Sequence, residues 1–406
     1  MSHSHSHATP PSDGPPRRTL ALALGAVVGV IAVATLVAMA LLWPASEDVP
    51  QAQDPYAAEG VSRVPAVVES VRAFDCGGDG LGPDQTQARA GDCAEVTAKA
   101  GDETATFTLD PTRWASGMKV GDEIQVLRIA PDGQPASWEF YDFERGFPLA
   151  AIAAVFGLLV VVVARWRGLF AIAGIGVTLV VLLSFVMPAL LSGTNALLVA
   201  AVGSAAIMIV VLYLAHGVSI RTTSALFGTL VGLGLTAVLG AWATDWSHLT
   251  GVASDDDRLL AAVATSADLS GIVAASMVIA GLGVLNDVTV TQASAVWEMR
   301  ALQPTASRAQ LFASAMRIGR DHIASSVYTL VFAYAGSAMT ILLLVSAYSQ
   351  SLTQVATSEE IGSEVARTLV GAIGLVLAVP ITTGFATLLA PRGEDVPEPG
   401  PDAVTA

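Results

Sequence analysis

The sequence predicts an α-helical integral membrane protein of about eight transmembrane helices, with a small β-rich domain between the first two. Three observations carry this. The 406 residues are 53% hydrophobic and only 14% charged, with a mean hydropathy of +0.61, where soluble domains carry about 25% charged residues. Eight apolar runs reach the roughly 20 residues that a helix needs to cross a hydrocarbon core. About a hundred residues after the first run switch to short alternating stretches with most of the chain's acid.

The runs fall at 20–42, 147–164, 168–191, 195–215, 224–242, 264–285, 324–348 and 369–390. The first has 23 uncharged residues, more than the ~7–15 of a signal-peptide core, so an uncleaved anchor is expected. Arg17-Arg18 before it also permits a twin-arginine export signal. If the N-terminus is cytoplasmic and eight helices alternate, Arg17, Arg18, Arg165, Arg167, Arg221, Arg300, Arg308, Arg317, Arg320 and Arg392 lie inside. Only Arg258 and Arg367 fall in short outer loops. The positive-inside rule therefore puts both termini in the cytoplasm and residues 44–146 outside.

Residues 44–146 hold nineteen acids against eight basic residues, a net −11 of the chain's −15. Stretches at 64–73, 94–98, 104–109, 123–129 and 137–141 alternate as strands do, and Gly/Asp/Pro turns separate them. Met118 to Val126 looks like the turn into a barrel strand of an OB-like domain, a likeness of fold only. The acid excess reads first as solvation and second as cation recruitment. The chain's two cysteines, Cys76 and Cys93, both lie here. A disulfide suits an oxidising compartment, and two thiols without a local His make a poor zinc site.

The membrane region carries polar interruptions. Asp287, Thr291, Ser294 and Glu298 follow the sixth apolar run at i, i+4, i+7 and i+11, one helical face. Carboxylates at a membrane boundary mark a functional-site hypothesis. Asn286 precedes them, His216 closes the fourth run, and Asp321-His322 opens the seventh. In the eight-helix topology all sit at the inner face, where an Asp/His group relays protons or holds a cation. The competing reading is structural, with Asp321 in a helix's first turn, where its charge suits the dipole, and His216 as an interfacial anchor. Asp268 is expected at the interface. Pro380 interrupts the last run, either as a helix break of the kind that builds ion sites or as a kink filled by Thr382 and Thr383. The Gly228–Gly232 spacing suits close helix packing. After Pro304, residues 308–320 suggest an amphipathic helix on the inner leaflet.

Leu285-Asn286-Asp287-Val288-Thr289-Val290-Thr291-Gln292-Ala293-Ser294-Ala295-Val296-Trp297-Glu298-Met299-Arg300 and the later stretch Gly319 to Gly336, which opens Gly319-Arg320-Asp321-His322, resemble the YibE/F-like family of bacterial membrane proteins. The resemblance covers about residues 147–390 and implies a polytopic protein of a bacterial plasma membrane. It supplies a class and no mechanism.

Residues 1–19 form a tail with His3, His5 and His7 as weak metal candidates and low-complexity disorder as the alternative. Residues 391–406 are an acidic tail. No phosphate loop, zinc-hydrolase motif or nucleophile elbow occurs, so no enzyme activity, cofactor or nucleic-acid partner is expected. The expected partners are the lipid bilayer and a small solute or cation. Two functions follow. One is a permease or secondary transporter using Asp287, Asn286, Thr291, His216, Asp321, His322 and Glu298 with the Pro380 break. The other is a non-transporting scaffold or sensor whose outer domain binds a ligand.

Overall fold

The computed structural model describes residues 18–50, 60–76, 92–131, 135–347 and 351–391. The chain divides into two compact units, Gln51–Val160 and Met1–Pro50 with Val161–Ala406. The His3/His5/His7 candidates and the acidic tail lie outside the described residues.

The chain opens on α1 (Arg18–Leu41), uncharged after its first residue. The sheet unit follows with β1 (Val61–Asp75), β2 (Asp92–Ala100), β3 (Glu103–Leu109), the short α2 (Pro111–Trp114), β4 (Glu123–Ile129) and β5 (Ser137–Phe143). Every predicted strand is present. All pairings are antiparallel, in the order β3-β2-β1-β4-β5. The long β1 turns from β4 to β2 near a bulge at Val68/Ser70. The sheet thus curls into a half-barrel, and its edge strands approach: Phe107 on β3 stacks on Phe140 of β5 at 6.2 Å. Alternation explains the core, because Val96, Ala98, Phe107, Leu109, Ile124 and Val126 all face inward. Arg128 pairs with Glu103 across the curl at 2.8 Å and holds that carboxyl below its usual range.

Cys76 and Cys93 are joined. Reducing this bond in the full-length protein is expected to cost about 2–4 kcal/mol. A thermal melt with and without reductant, repeated on a Cys76→Ser/Cys93→Ser variant, checks this. Identical melting in all three samples would contradict it.

The chain continues through α3 (Gly146–Val181), a π-helical turn at Leu182–Val186 and α4 (Met187–Leu191). Then come α5 (Ala196–His216), α6 (Ile220–Trp246), α7 (Asp255–Val263), α8 (Leu269–Leu302), α9 (Arg308–Ser337), α10 (Met339–Ala347), α11 (Leu352–Ala356) and α12 (Glu359–Leu389). Caps set several starts. Ser219 begins α6, a Ser254/Asp257 capping box begins α7, and a Ser307/Gln310 box begins α9. Asp268 caps α8 by accepting from the Gly271 amide.

Among the described residues, six helical stretches are long and apolar enough to cross a membrane; eight were expected. Two expected spans fall on one stretch, Gly146–Leu191, broken at Arg165, where φ is 56°. The seventh expected run is divided at Ala338 between α9 and α10. Its helix starts far upstream of the run, at Arg308, so the expected surface helix at 308–320 is the first part of α9. Of its apolar positions, Leu311 and Ala315 are buried, Phe312 is half-buried and Ile318 is exposed. Nor does the sixth helix end at Leu285: it runs on unbroken to Leu302. The apolar helices make this a multi-pass membrane protein.

α6, α8 and α12 form the centre of the bundle, with α5 against α8 and α9 against α8 and α12. Their faces interlock through glycine. Gly232 meets Leu285 of α8 and Ala378 of α12, and Gly228 lies directly against Thr382. The Gly228–Gly232 pair is therefore a real packing face. One end of the bundle is tied by Arg308, which donates to the Leu388 carbonyl at 3.2 Å. At the other end, Glu359 accepts from the amides of Thr250 and Gly251 at 2.5 and 2.8 Å.

Candidate functional site

The continuation of α8 past Leu285 decides which of its faces is buried. Leu285, Val288, Thr289, Gln292, Ala293, Val296 and Arg300 turn inward. The predicted stripe lies on another face: Asp287 and Glu298 are exposed, and Thr291 and Ser294 are half-buried. The buried face instead follows 285, 288, 289, 292 and 296, an arc of mostly uncharged residues that carries Thr289 and Gln292 inward with the aliphatic ones.

The structure joins one pair of the predicted residues. His322 Nε2 lies 3.4 Å from Asp287 Oδ2, with the His322 side chain 27% exposed and that of Asp287 67%. The contact is ion-pair reach without hydrogen-bond alignment, so this buried nitrogen has no hydrogen-bond partner. Asn286, one residue before, has a buried amide oxygen that also lacks a partner, while its carbonyl accepts from the Thr289 hydroxyl at 3.2 Å. His216, Asp321 and Glu298 are exposed. Among the described residues, no hydrogen bond or ion pair ties the side chains of His216, Asp321, Glu298 or Thr291 to the Asp287–His322 pair. His216 contributes only its carbonyl, to Thr222.

Pro380 sits inside α12, which remains one helix through it. Thr383 donates to the Val379 carbonyl at 2.7 Å, an ordinary helical back-bond that does not reach the carbonyl freed by the proline. The proline still removes the amide that the Val376 carbonyl would receive four residues back.

Sequence reading missed a second charged group in the bundle. Arg367 was assigned to an outer loop, but it lies eight residues into α12, about 12 Å at 1.5 Å per residue. It pairs with Glu364 on the same helix and donates through Nε to Ser276 of α8 at 3.2 Å. Both charged side chains are largely buried, 22% and 31% exposed. The available signal was their i, i+3 spacing just before the last apolar run.

α8, α9 and α12 also share an apolar cluster. Val288, Leu330, Leu375 and Val379 are buried there, with Val284, Ile323, Ala372 and Tyr334 packed around them. Below it Gln292 is 1% exposed and donates to the Ala315 carbonyl at 2.8 Å. α9 crosses here at Gly319, where a Cβ would stand 2.7 Å from Val379 Cγ1 and 3.1 Å from Gln292 Nε2. The same three helices thus carry a Glu–Arg pair, an apolar cluster and an Asp–His pair.

The family model described as YibE/F-like protein matches residues 152–392. That range takes in every helix of this arrangement. The chain belongs to the YibE/F-like family. Comparison with curated proteins and with solved structures finds no match. This YibE/F-like protein holds no group of three or more His, Cys, Asp or Glu side chains placed for a metal among its described residues. Its polar centre is made instead of single ion pairs, hydroxyls and amides.

Proposed function

We propose that this YibE/F-like protein is a permease or secondary transporter for a small solute or cation, with its route along α8, α9 and α12. One observation carries the reading: two charged pairs, Glu364–Arg367 and Asp287–His322, lie on the helices that share the Val288/Leu330/Leu375/Val379 apolar cluster. Partly buried charge inside an apolar bundle is costly and is kept where ions or protons move. In this reading Asp287 accepts the proton or cation and His322 is its partner. Glu364 and Arg367 guard the other mouth.

The proposed topology keeps both termini in the cytoplasm and the sheet unit outside, where its disulfide is stable. The Arg165 break then divides Gly146–Leu191 into two crossings, and the α9–α10 stretch supplies another, for eight in all. The arginine distribution supports this orientation. Arg367 no longer belongs to a loop, which leaves Arg258 as the basic residue of the short outer loops.

Asp287 provides a clean test because its pairing is exposed, and such pairs contribute about 0–1 kcal/mol. Asp287→Asn and His322→Gln are expected to keep expression and melting temperature. Each should lower the growth or uptake phenotype that complements a deletion strain at least tenfold per folded molecule. Full activity per folded molecule in both variants would sink the transport reading.

The second reading, a sensor without transport, draws on the sheet unit. A hollow of about 420 Å³ opens there between Pro65–Val67, Lys99, Gly101 and Glu123–Ile124, with Glu144 at its rim. It offers one ammonium and two carboxylates to a small polar ligand.

A further inference from the structure

One end of the bundle gathers positive charge with no carboxylate to meet it. From Arg145 to Thr244 the chain has no Asp or Glu. Within that stretch α3 breaks at Arg165, where φ is 56°, and leaves Arg165, Trp166 and Arg167 exposed at the break. Two glycine contacts fix how the next helices run. A Cβ on Gly203 of α5 would stand 2.6 Å from Val186 Cγ2, and one on Gly174 of α3 would stand 3.3 Å from Val211 Cγ1 of α5. Moving back from 186 to 174 thus moves forward from 203 to 211, so the two segments are antiparallel. The same register carried on brings Arg167 opposite the turn that ends α5, at His216 to Val218. α6 starts directly after that turn, with Arg221 in its first turn. The Arg167 and Arg221 charges both act on the His216 ring, and no carboxylate does. The turn itself is tied: Ser219 Oγ accepts from the Thr222 amide at 3.1 Å, and the Tyr213 and Thr223 hydroxyls lie 2.9 Å apart.

Other arginines at this end, where Ala225 of α6 packs with Val296 and Ala390, bond within the protein. Arg300 donates to the Pro304 and Ala306 carbonyls, Arg308 to the Leu388 carbonyl and Arg317 to Ser314 Oγ. Among the described residues Arg165, Arg167 and Arg221 form no ion pair. Gathered like charges repel unless an anion sits among them, and the first turn of α6 adds the positive end of its dipole. Trp166 and Val218, both exposed, flank the charges with apolar surface. We propose that Arg167, Arg221 and His216, with Arg165 and Trp166 beside them, form a headgroup site for an anionic phospholipid. Its phosphodiester meets the guanidiniums and its acyl chains lie along Trp166 and the exposed Val162 and Val163. A free phosphate would meet the charges and leave that apolar rim uncovered. The site is independent of the transport reading.

The full-length protein is melted in nanodiscs of phosphatidylcholine, with and without phosphatidylglycerol, and in phosphatidylcholine with added inorganic phosphate. A ligand bound to the folded state raises the melting temperature in a saturable way. We expect a saturable rise with phosphatidylglycerol and none with phosphate. Arg167→Gln/Arg221→Gln should abolish the rise, whereas Arg317→Gln, a control for general attraction to a charged bilayer, should keep it. Arg167→Lys/Arg221→Lys retains the charge and should retain most of the rise, which separates lost binding from lost folding. Equal wild-type melting in both lipid compositions would overturn the site. So would an equal loss in Arg317→Gln, which would make the effect unspecific, or the same rise with inorganic phosphate, which would make the ligand a free anion.

Discussion

Replacing Arg300 by Met is expected to destabilise the protein by about 3–6 kcal/mol, at about 1.5–3 for each of two hydrogen bonds from a charged donor. Arg300 ends the buried face of α8 and is 5% exposed. Its Nη1 donates to the carbonyls of Pro304 at 2.9 Å and Ala306 at 2.7 Å, so one guanidinium fixes the whole turn into α9. Methionine fills most of the volume and satisfies neither carbonyl. The start of α9 would loosen, and with it the Gln292–Ala315 bond and the Gly319 crossing that hold the Asp287–His322 end together. Thermal unfolding of the purified protein measures the loss, and Arg300→Lys, which reaches one carbonyl, should fall between. A melting temperature within a degree of wild type for Arg300→Met would show that the turn is held by something else.

Gly228→Leu is the second large effect. A Cβ at Gly228 would overlap the Thr382 hydroxyl and stand 2.8 Å from its Cβ and 3.1 Å from its Cα. The Cα is backbone and cannot swing aside, so α6 and α12 must separate. Overpacking usually costs about 1–3 kcal/mol and more where the backbone must move, which places this variant above about 3. Gly234→Leu on the same helix is the control, because nothing lies within 4 Å of a Cβ there. The fraction of monodisperse protein in size-exclusion chromatography should collapse for Gly228→Leu and hold for Gly234→Leu. Equal loss in both would point to the backbone propensity of glycine rather than to the Thr382 contact.

The Asp287–His322 contact was half legible in the chain. Both residues stand out as charge at the edge of apolar runs, and the resemblance to the family rests on the stretches that contain them. What could not be read was their company. His216 and Asp321 share the same expected depth but point elsewhere, because depth along a helix says nothing of azimuth until the neighbours are known. Arg367 was misplaced for a related reason. A hydropathy window sees charge as the end of a span, whereas α12 carries its Glu364–Arg367 pair inside by matching each charge with a partner.

The sequence by itself determined that this is a multi-pass membrane protein with a β-rich unit after its first helix. It also located all five strands and the cysteine pair. These follow from periodicities of two or 3.6 residues and from runs of about 20, signals that each segment carries alone. Only the tertiary structure decided that α8 continues to Leu302 and that its predicted polar stripe is the uncovered face. The same holds for Gly228 and Thr382 being in contact and for the curl that brings β3 to β5. Each of these depends on what stands opposite a residue, and that partner lies tens to more than a hundred positions away in the chain.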